Sequence, residues 1–314
     1  MKERKNKKAD NSKKKLEFLF PELCTIYAES YNVEYLARCN DKLEVIETRV
    51  TETPHFVTED VDMVYLGCLT ESGQEKAIAN LMQHKARLEE LIDKGTIFLI
   101  TGNAIEIFGK YILCNDAAET WKGAGTNKAA AAEAEAYEIP ALGIFDFNAE
   151  RRINALRHNS MFLGEFSIED NSRNTKENYT VENMDVRADN AELILLGHKS
   201  QFSFAYDLAY RNSELRNSES EESKDSCDIA NSFAPMMKII KGTGMNPGTD
   251  CEGIRKNNFF ATYSLGPFVV QNPYFAKYLL RKLGLNDELC YEEAAIANYE
   301  SRLEQYKAFL FKQN

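Results

Sequence analysis

From Lys15 to about Tyr111 the apolar positions follow two alternating rhythms. Leu16–Phe20 is a short apolar run that reads as a strand. Within Tyr31–Arg38 the apolar residues Val33, Leu36 and Ala37 sit at helical spacing. Leu43–Val50 alternates apolar and polar residues as a half-buried strand does, Asp62–Leu66 is a compact buried strand, and Gln74–Lys94 is a long amphipathic helix. Thr96–Thr101 is β-branched and largely apolar; a Gly102–Asn103 turn and a helix-like Ala104–Phe108 follow it. Strand, helix, strand and helix with short links predict a three-layer α/β fold around a doubly wound, mostly parallel sheet. In such sheets ligand sites form beyond the carboxyl ends of the strands, which directs attention to Gly67–Thr70 and Thr101–Asn103.

The middle of the chain changes character. Lys128–Tyr137 is rich in Ala and Glu and reads as a short exposed helix inside an insertion near 123–138. Ala141–Phe147, Met161–Phe166, Leu193–Gly197 and Met236–Lys241 read as short strands of a mixed or antiparallel extension. Arg211–Asp228 holds six acids and five serines, the composition of a solvated insertion. Asn258–Tyr263 reads as the last strand, and Asn272–Leu283 and Tyr291–Phe311 as closing helices. This gives a basic tail over 1–15, one domain over 16–285 with insertions near 123–138 and 211–228, and a C-terminal helix within 286–314.

Charge and cysteine content narrow the function classes. The 314 residues carry a net charge of −11, yet eight of the first fifteen are Lys or Arg against Glu3 and Asp10. That tail therefore carries +6 and the rest −17 (−11 − 6), and so acidic a body argues against nucleic acid as a partner. No apolar run approaches the ~20 residues of a membrane span, and no apolar region follows the basic start as in a signal peptide. Seven scattered cysteines without a CxxC pair point to reduced thiols, a cytoplasmic location and neither a disulfide framework nor a zinc site. Lys241–Gly248 is glycine-rich but lacks the strand-then-helix setting of a dinucleotide loop, so it reads as a hairpin connection and implies no cofactor. Glu150-Arg-Arg and Glu252-Gly-Ile-Arg255 read as solvated or locally paired charges.

Thr96–Gly109 carries the most chemical information: a buried strand, an abrupt turn and a helix whose first N–H groups aim at that turn. This is the architecture of a nucleophile elbow, which presents one side chain beside an oxyanion hole. Four stretches in order then resemble class I glutamine amidotransferases of the cobyric-acid-synthase type, and most closely the glutaminase subunit of lipid II isoglutaminyl synthase. Phe20–Ala37 is similar to the family's "PELLNLYGDxGNxxAL" opening, and Met63–Ser72 stands where the family has "FIGGGSD", the loop that helps stabilise the oxyanion. Ile100–Gly109 stands for "ICGGYQLLG" and Phe259–Phe268 for "LLGTYLHGP", while Leu142–Phe147 matches "LGILDF" between them. The resemblance spans roughly 16–285 and implies a flavodoxin-like fold, glutamine hydrolysis for peptidoglycan amidation, and a heterodimer with a Mur-ligase-like synthetase.

The departures from that pattern fall on the chemistry. The family attacks the glutamine amide with the elbow cysteine, activated by the histidine of "LHGP". Here the nucleophile position is Gly102, or Thr101 if the turn shifts by one, and the base position is Leu265. The glutamine-site arginine of "ESKxNRLxG" aligns with Ala155, although Arg151, Arg152 and Arg157 lie nearby. A hydrogen atom cannot attack a carbonyl, and an isobutyl group cannot take a proton. The first reading is thus a degenerate subunit that keeps the crevice of Gly67, Cys68, Leu69, Thr101 and Asn103 as a surface for a small amide or anion and for its partner. The second is an active glutaminase with relocated residues, centred on Cys68 with His198 as the fallback base. A third is another enzyme, with Thr101, Asn103 or Glu106 on a different small ligand. Of the remaining histidines, His84 is expected on the surface of the long helix, His55 in a polar loop, and His158 beside the lost arginine. Restoring Gly102→Cys with Leu265→His is expected to give hydrolysis if the surrounding hole survives. No metal site is expected.

Overall fold

A computed structural model describes residues 13–115, 136–152, 157–168, 192–207 and 233–312. The basic tail up to residue 12, Ala155, almost all of the 123–138 insertion and the whole of 211–228 lie outside the described residues.

The framework is a six-stranded sheet in the order β13-β14-β4-β3-β1-β2. Its strands are β1 (Lys14–Leu19), β2 (Leu43–Thr48), β3 (Met63–Leu66), β4 (Ile97–Thr101), β13 (Ile254–Lys256) and β14 (Phe259–Thr262). All neighbours are parallel except the edge pair β13–β14. Every residue of β3, β4 and β14 is buried, which explains why they read as continuous apolar runs instead of alternating ones. Helix α1 (Ser30–Cys39) links β1 to β2 on one side. The chain then returns through α2 (His55–Thr58) to β3 on the other side of β1. Right-handed crossovers running in opposite directions put their helices on opposite faces and open a crevice at the carboxyl ends of β1 and β3. The expected doubly wound sheet is therefore observed.

Two four-stranded sheets form the extension. One has the order β10-β7-β5-β6 and comprises β5 (Tyr111–Cys114), β6 (Tyr137–Pro140), β7 (Phe147–Arg151) and β10 (Ser203–Asp207). The other has the order β12-β11-β8-β9, with β8 (His158–Ser167), β9 (Glu192–Gln201), β11 (Met237–Lys241) and β12 (Cys251–Glu252), and is antiparallel throughout. The glycine-rich Lys241–Gly248 stretch falls in the β11–β12 hairpin connection, as expected. Helices α5 (Phe268–Gln271), α6 (Pro273–Lys282) and α7 (Glu292–Phe311) close the chain. Helix α7 buries Tyr299, Leu303, Tyr306 and Leu310 against Leu163 and Leu196 of the antiparallel sheet.

Several expectations are corrected. The long helix over Gln74–Lys94 is two, α3 (Glu71–Met82) and α4 (Lys85–Lys94), with His84 in the break, half-buried and edge-on to Phe56. Ala141–Phe147 is not a strand; β7 begins only at Phe147. The amides of Leu142, Gly143, Ile144 and Phe145 instead bond to the carbonyls of Ile107, Gly109 and Phe108, capping the turn that follows β4. Tyr137 belongs to β6, not to a helix. His55 opens a short helix, its amide bonded to Glu17. Cys251 is disulfide-bonded, contrary to the expectation of reduced thiols throughout, while Cys24, Cys39, Cys68, Cys114 and Cys290 form no disulfide. No described helix is long and apolar enough to cross a membrane.

Candidate functional site

Four loops meet at the carboxyl end of the sheet: Phe20–Glu29 after β1, Gly67–Thr70 after β3, Gly102–Asn103 after β4 and Tyr263–Gly266 after β14. What ties them together is Glu29, a fully buried carboxylate whose importance only the structure reveals. Its Oε2 accepts from Tyr65 Oη at 2.7 Å and from Thr101 Oγ1, and its Oε1 accepts from the Gly266 amide at 2.9 Å. A bond from the Cys68 amide adds a further loop. Asn32 completes the knot, donating to Tyr65 Oη and Gly266 O and accepting from the Val269 amide. Thr101, a candidate nucleophile position, is thus a buried structural hydroxyl.

Burial pushes the Glu29 carboxyl up to about 7 against the opposing effect of those donors. An acid raised in this way binds its proton more tightly when folded. Its stabilising contribution is complete below the unfolded value of 4.5 and is lost as pH rises through about 7. The expected loss across that window is on the order of 3 kcal/mol. The two oxygens facing Oε2 are rotatable hydroxyls that can accept as readily as donate. A Glu29→Gln amide nitrogen can therefore replace Oε2 and donate to them. Urea titrations at pH 5 and pH 8 should show that this variant removes most of the fall; an unchanged slope would assign the pH dependence elsewhere.

After β4 the chain makes the sharp turn read from the sequence. Gly102 adopts φ +63°, a left-handed conformation that glycine takes without strain. A 3-10 turn over Gly102–Phe108 follows in place of an α-helix. The elbow geometry is present, but its space is filled. A Cβ on residue 102 would stand 2.5 Å from Cys68 Cβ and 2.8 Å from Cys68 Sγ. Cys68 therefore occupies the volume into which an elbow side chain would project.

Asn103, the next residue, closes the remaining opening. Its Oδ1 accepts the Leu69 amide at 2.9 Å and its Nδ2 donates to Leu69 O at 3.0 Å, while Cys68 Sγ lies 3.3 Å from the same Oδ1. The Leu69 N–H lies in the loop after β3 that the sequence resemblance marks as the oxyanion loop. Here a side-chain amide occupies that N–H. The Gly102 amide donates to Ser264 O at 3.2 Å, which ties the turn to the loop after β14. Cys68 is 5% exposed, and burial together with the charge of Glu29 pushes its thiol up to about 12. A thiol so placed is a poor source of thiolate near neutrality.

Leu265 is buried, and its amide donates to His198 O at 2.8 Å. His198 therefore lies beside the Ser264–Leu265 loop, and its own amide donates to Ser264 Oγ. Its half-buried ring titrates below the ordinary histidine value because of burial. The hydrogen-bond partners of Cys68 Sγ are Asn103 Oδ1 and Leu69 O, not an imidazole. His158 also titrates low because of burial, and it opens β8.

Below the 3-10 turn lies a second network that the sequence did not disclose. Glu106 is buried and accepts from Gln74 Nε2 at 3.0 Å and Tyr263 Oη at 3.2 Å. Arg151, 2% exposed, lies 3.9 Å from Glu106 and donates to Gln74 Oε1. Gln74 Nε2 also donates to Asn103 O at 2.6 Å, so the network sets the position of the plug. Burial raises the Glu106 carboxyl, and the Arg151 charge works against it. Arg151 is therefore not a solvated charge; Arg152 does pair locally, with Glu150 at 2.9 Å. Among the described residues no three His, Cys, Asp or Glu side chains gather as metal ligands.

No family profile and no curated protein matches the chain by sequence. Several solved structures resemble its fold distantly. The glutaminase domain of Trypanosoma brucei CTPS with bound acivicin has a TM-score of 0.42 at 7% identity, over 89% of this chain and 98% of that one. A glutamine amidotransferase from Thermotoga maritima has a TM-score of 0.41 at 10% identity, covering 94% and 92%. PurLQS from the same organism has a TM-score of 0.39 at 9% identity, covering 93% and 99%.

Proposed function

We propose that this chain is a glutamine amidotransferase-like subunit whose hydrolytic site has closed, and that it serves as a binding or regulatory subunit of a Mur-ligase-like synthetase in peptidoglycan amidation. The observation that carries the loss of catalysis is the filled elbow. Cys68 takes the room of the missing nucleophile, and Asn103 takes the N–H that would hold the oxyanion. Covalent amide hydrolysis needs an accessible nucleophile, a base and an open hole, and each fails here for a separate physical reason. The partner and the pathway rest on the sequence resemblance alone.

An active glutaminase built on Cys68 has one observation in its favour: the sulfur sits almost where the elbow thiol would. Against it stand the raised thiol, the amide side chain as its partner and its 5% exposure. Ammonia release from glutamine separates the two readings. The full chain is expected to release none above a protein-free control, alone or with the co-purified synthetase, and Cys68→Ser is expected to change nothing. Turnover abolished by Cys68→Ser would overturn the degenerate reading. A tagged chain that retains no synthetase from its own cell extract would overturn the partner assignment.

A further inference from the structure

At the opposite end of the sheet two free cysteines from distant parts of the chain touch. Cys39 ends α1, and Cys290 precedes α7. The Cys290 amide donates to Cys39 Sγ at 3.2 Å and Cys290 Sγ donates to Arg38 O at 2.9 Å, which sets the two residues side by side. Both residues are partly exposed, so a small oxidant can reach them. The surrounding backbone is held in register: Tyr35 Oη donates to Cys290 O at 3.1 Å and Asn40 Nδ2 to Asn286 O at 3.2 Å.

Beside them opens a groove of about 450 Å³, lined by Cys39 itself, Lys14, Asp41, Lys42, Leu285 and Asn286 among others. Lys14 shares its charge with Asp62 at 3.0 Å, and the exposed Lys42 adds a second ammonium at the rim. The groove is large enough for a small peptide-like molecule, and its ammoniums, carboxamides and the Asp41 carboxylate suit a ligand carrying both carboxylates and amines.

We propose that Cys39 and Cys290 form a redox-active dithiol that exchanges with a small peptide-like disulfide docked in this groove. One cysteine loses its proton and attacks a sulfur of the small disulfide, whose S–S bond breaks to release one small thiol carrying that proton. The second cysteine then attacks the protein sulfur of the mixed disulfide and displaces the other small thiol. The balance is one protein disulfide formed and one small disulfide reduced to two thiols, so no further oxidant is required. Burial and the neighbouring sulfur push the Cys39 thiol up to about 11, which sets a slow, conditional exchange. The new bond would staple the end of α1 to the start of α7, the helix that covers the antiparallel sheet. This site lies at the amino ends of β1 and β2, away from the elbow, so its failure and that of the proposed function are independent.

The test titrates the reduced full chain with mixtures of reduced and oxidised glutathione, followed by alkylation and peptide mass mapping. The expected result is a peptide pair joined through Cys39 and Cys290, reversed by excess reduced glutathione. Cys39→Ser should instead retain one glutathione on Cys290, and Cys290→Ser one on Cys39. Both cysteines alkylated at every ratio, or glutathione left on either in the unaltered chain without the cross-link, would overturn the dithiol. For the groove, Lys42→Glu should slow cross-linking by glutathione disulfide about threefold or more while leaving the rate with uncharged 2-hydroxyethyl disulfide unchanged. Equal rates for both reagents in that variant would overturn charge recognition by the groove.

Discussion

Replacing Glu252 by alanine is expected to cost about 3–5 kcal/mol of folding stability, among the largest losses any single substitution here should produce. The sequence offers Glu252 as an ordinary charge near a glycine, yet it is wholly buried. Its Oε2 meets Lys199 Nζ at 2.9 Å, and its Oε1 accepts from Thr262 Oγ1 at 2.9 Å and the Tyr263 amide at 2.8 Å. Lys199 is equally buried, bonded also to Thr243 O at 2.6 Å and Gly244 O at 2.5 Å and seated 5.0 Å from the centre of the Phe162 ring. The pair thus joins β9, the β11–β12 connection and the end of β14, where the loop leading to Leu265 begins. Removing the carboxylate strands an ammonium in a dry interior, and Lys199→Met strands the carboxylate in turn. Lys199→Met with Glu252→Ala leaves no buried charge, so the double variant should lose clearly less than the two single losses added. Denaturant midpoints at constant m-value measure all three. A loss under about 1 kcal/mol for Glu252→Ala would mean that water reaches the pair.

This network also marks the limit of what the sequence could reveal. The sheet was legible because buried parallel strands must be apolar throughout, and Met63–Leu66, Ile97–Thr101 and Phe259–Thr262 leave no other reading. The elbow was legible for the same reason: a buried strand that ends in glycine has few ways to continue. The plug was not. Nothing in Gly67-Cys68-Leu69 announces that the cysteine will fill the volume vacated at Gly102, because that contact joins residues 34 positions apart through the β3–β4 register. Glu29 was hidden similarly, since a carboxylate in a polar loop looks solvated until three other loops are folded over it. The false strand over Ala141–Phe147 failed because its apolar residues follow the needs of a capping segment, whose amides serve the carbonyls of Ile107 and Phe108 instead of a neighbouring strand. Arg151 reads as surface charge in any local window, and its pairing with Gln74 and Glu106 appears only on folding.

The simple restoration of Gly102→Cys with Leu265→His, attractive on sequence grounds, is expected to yield no glutaminase and a less stable protein. A Cβ at residue 102 meets Cys68 at 2.5 Å, and φ +63° adds strain for any side chain there. The two effects together should cost about 2–4 kcal/mol. Cys68→Gly removes the obstructing atoms, so Gly102→Cys should be tolerated far better in its presence, with a coupling of at least about 1 kcal/mol in a double-mutant cycle. Even the Cys68→Gly, Gly102→Cys and Leu265→His variant should stay nearly silent, because Asn103 Oδ1 still holds the Leu69 amide. Adding Asn103→Ala releases that donor, and one oxyanion donor is worth about 10²–10³ in turnover. Ammonia release should therefore rise by about two orders of magnitude at that last substitution and disappear on alkylation of the new thiol. Equal release with Asn103 intact would show that the amide yields to an oxyanion, and the plug would then be a gate, not a closure.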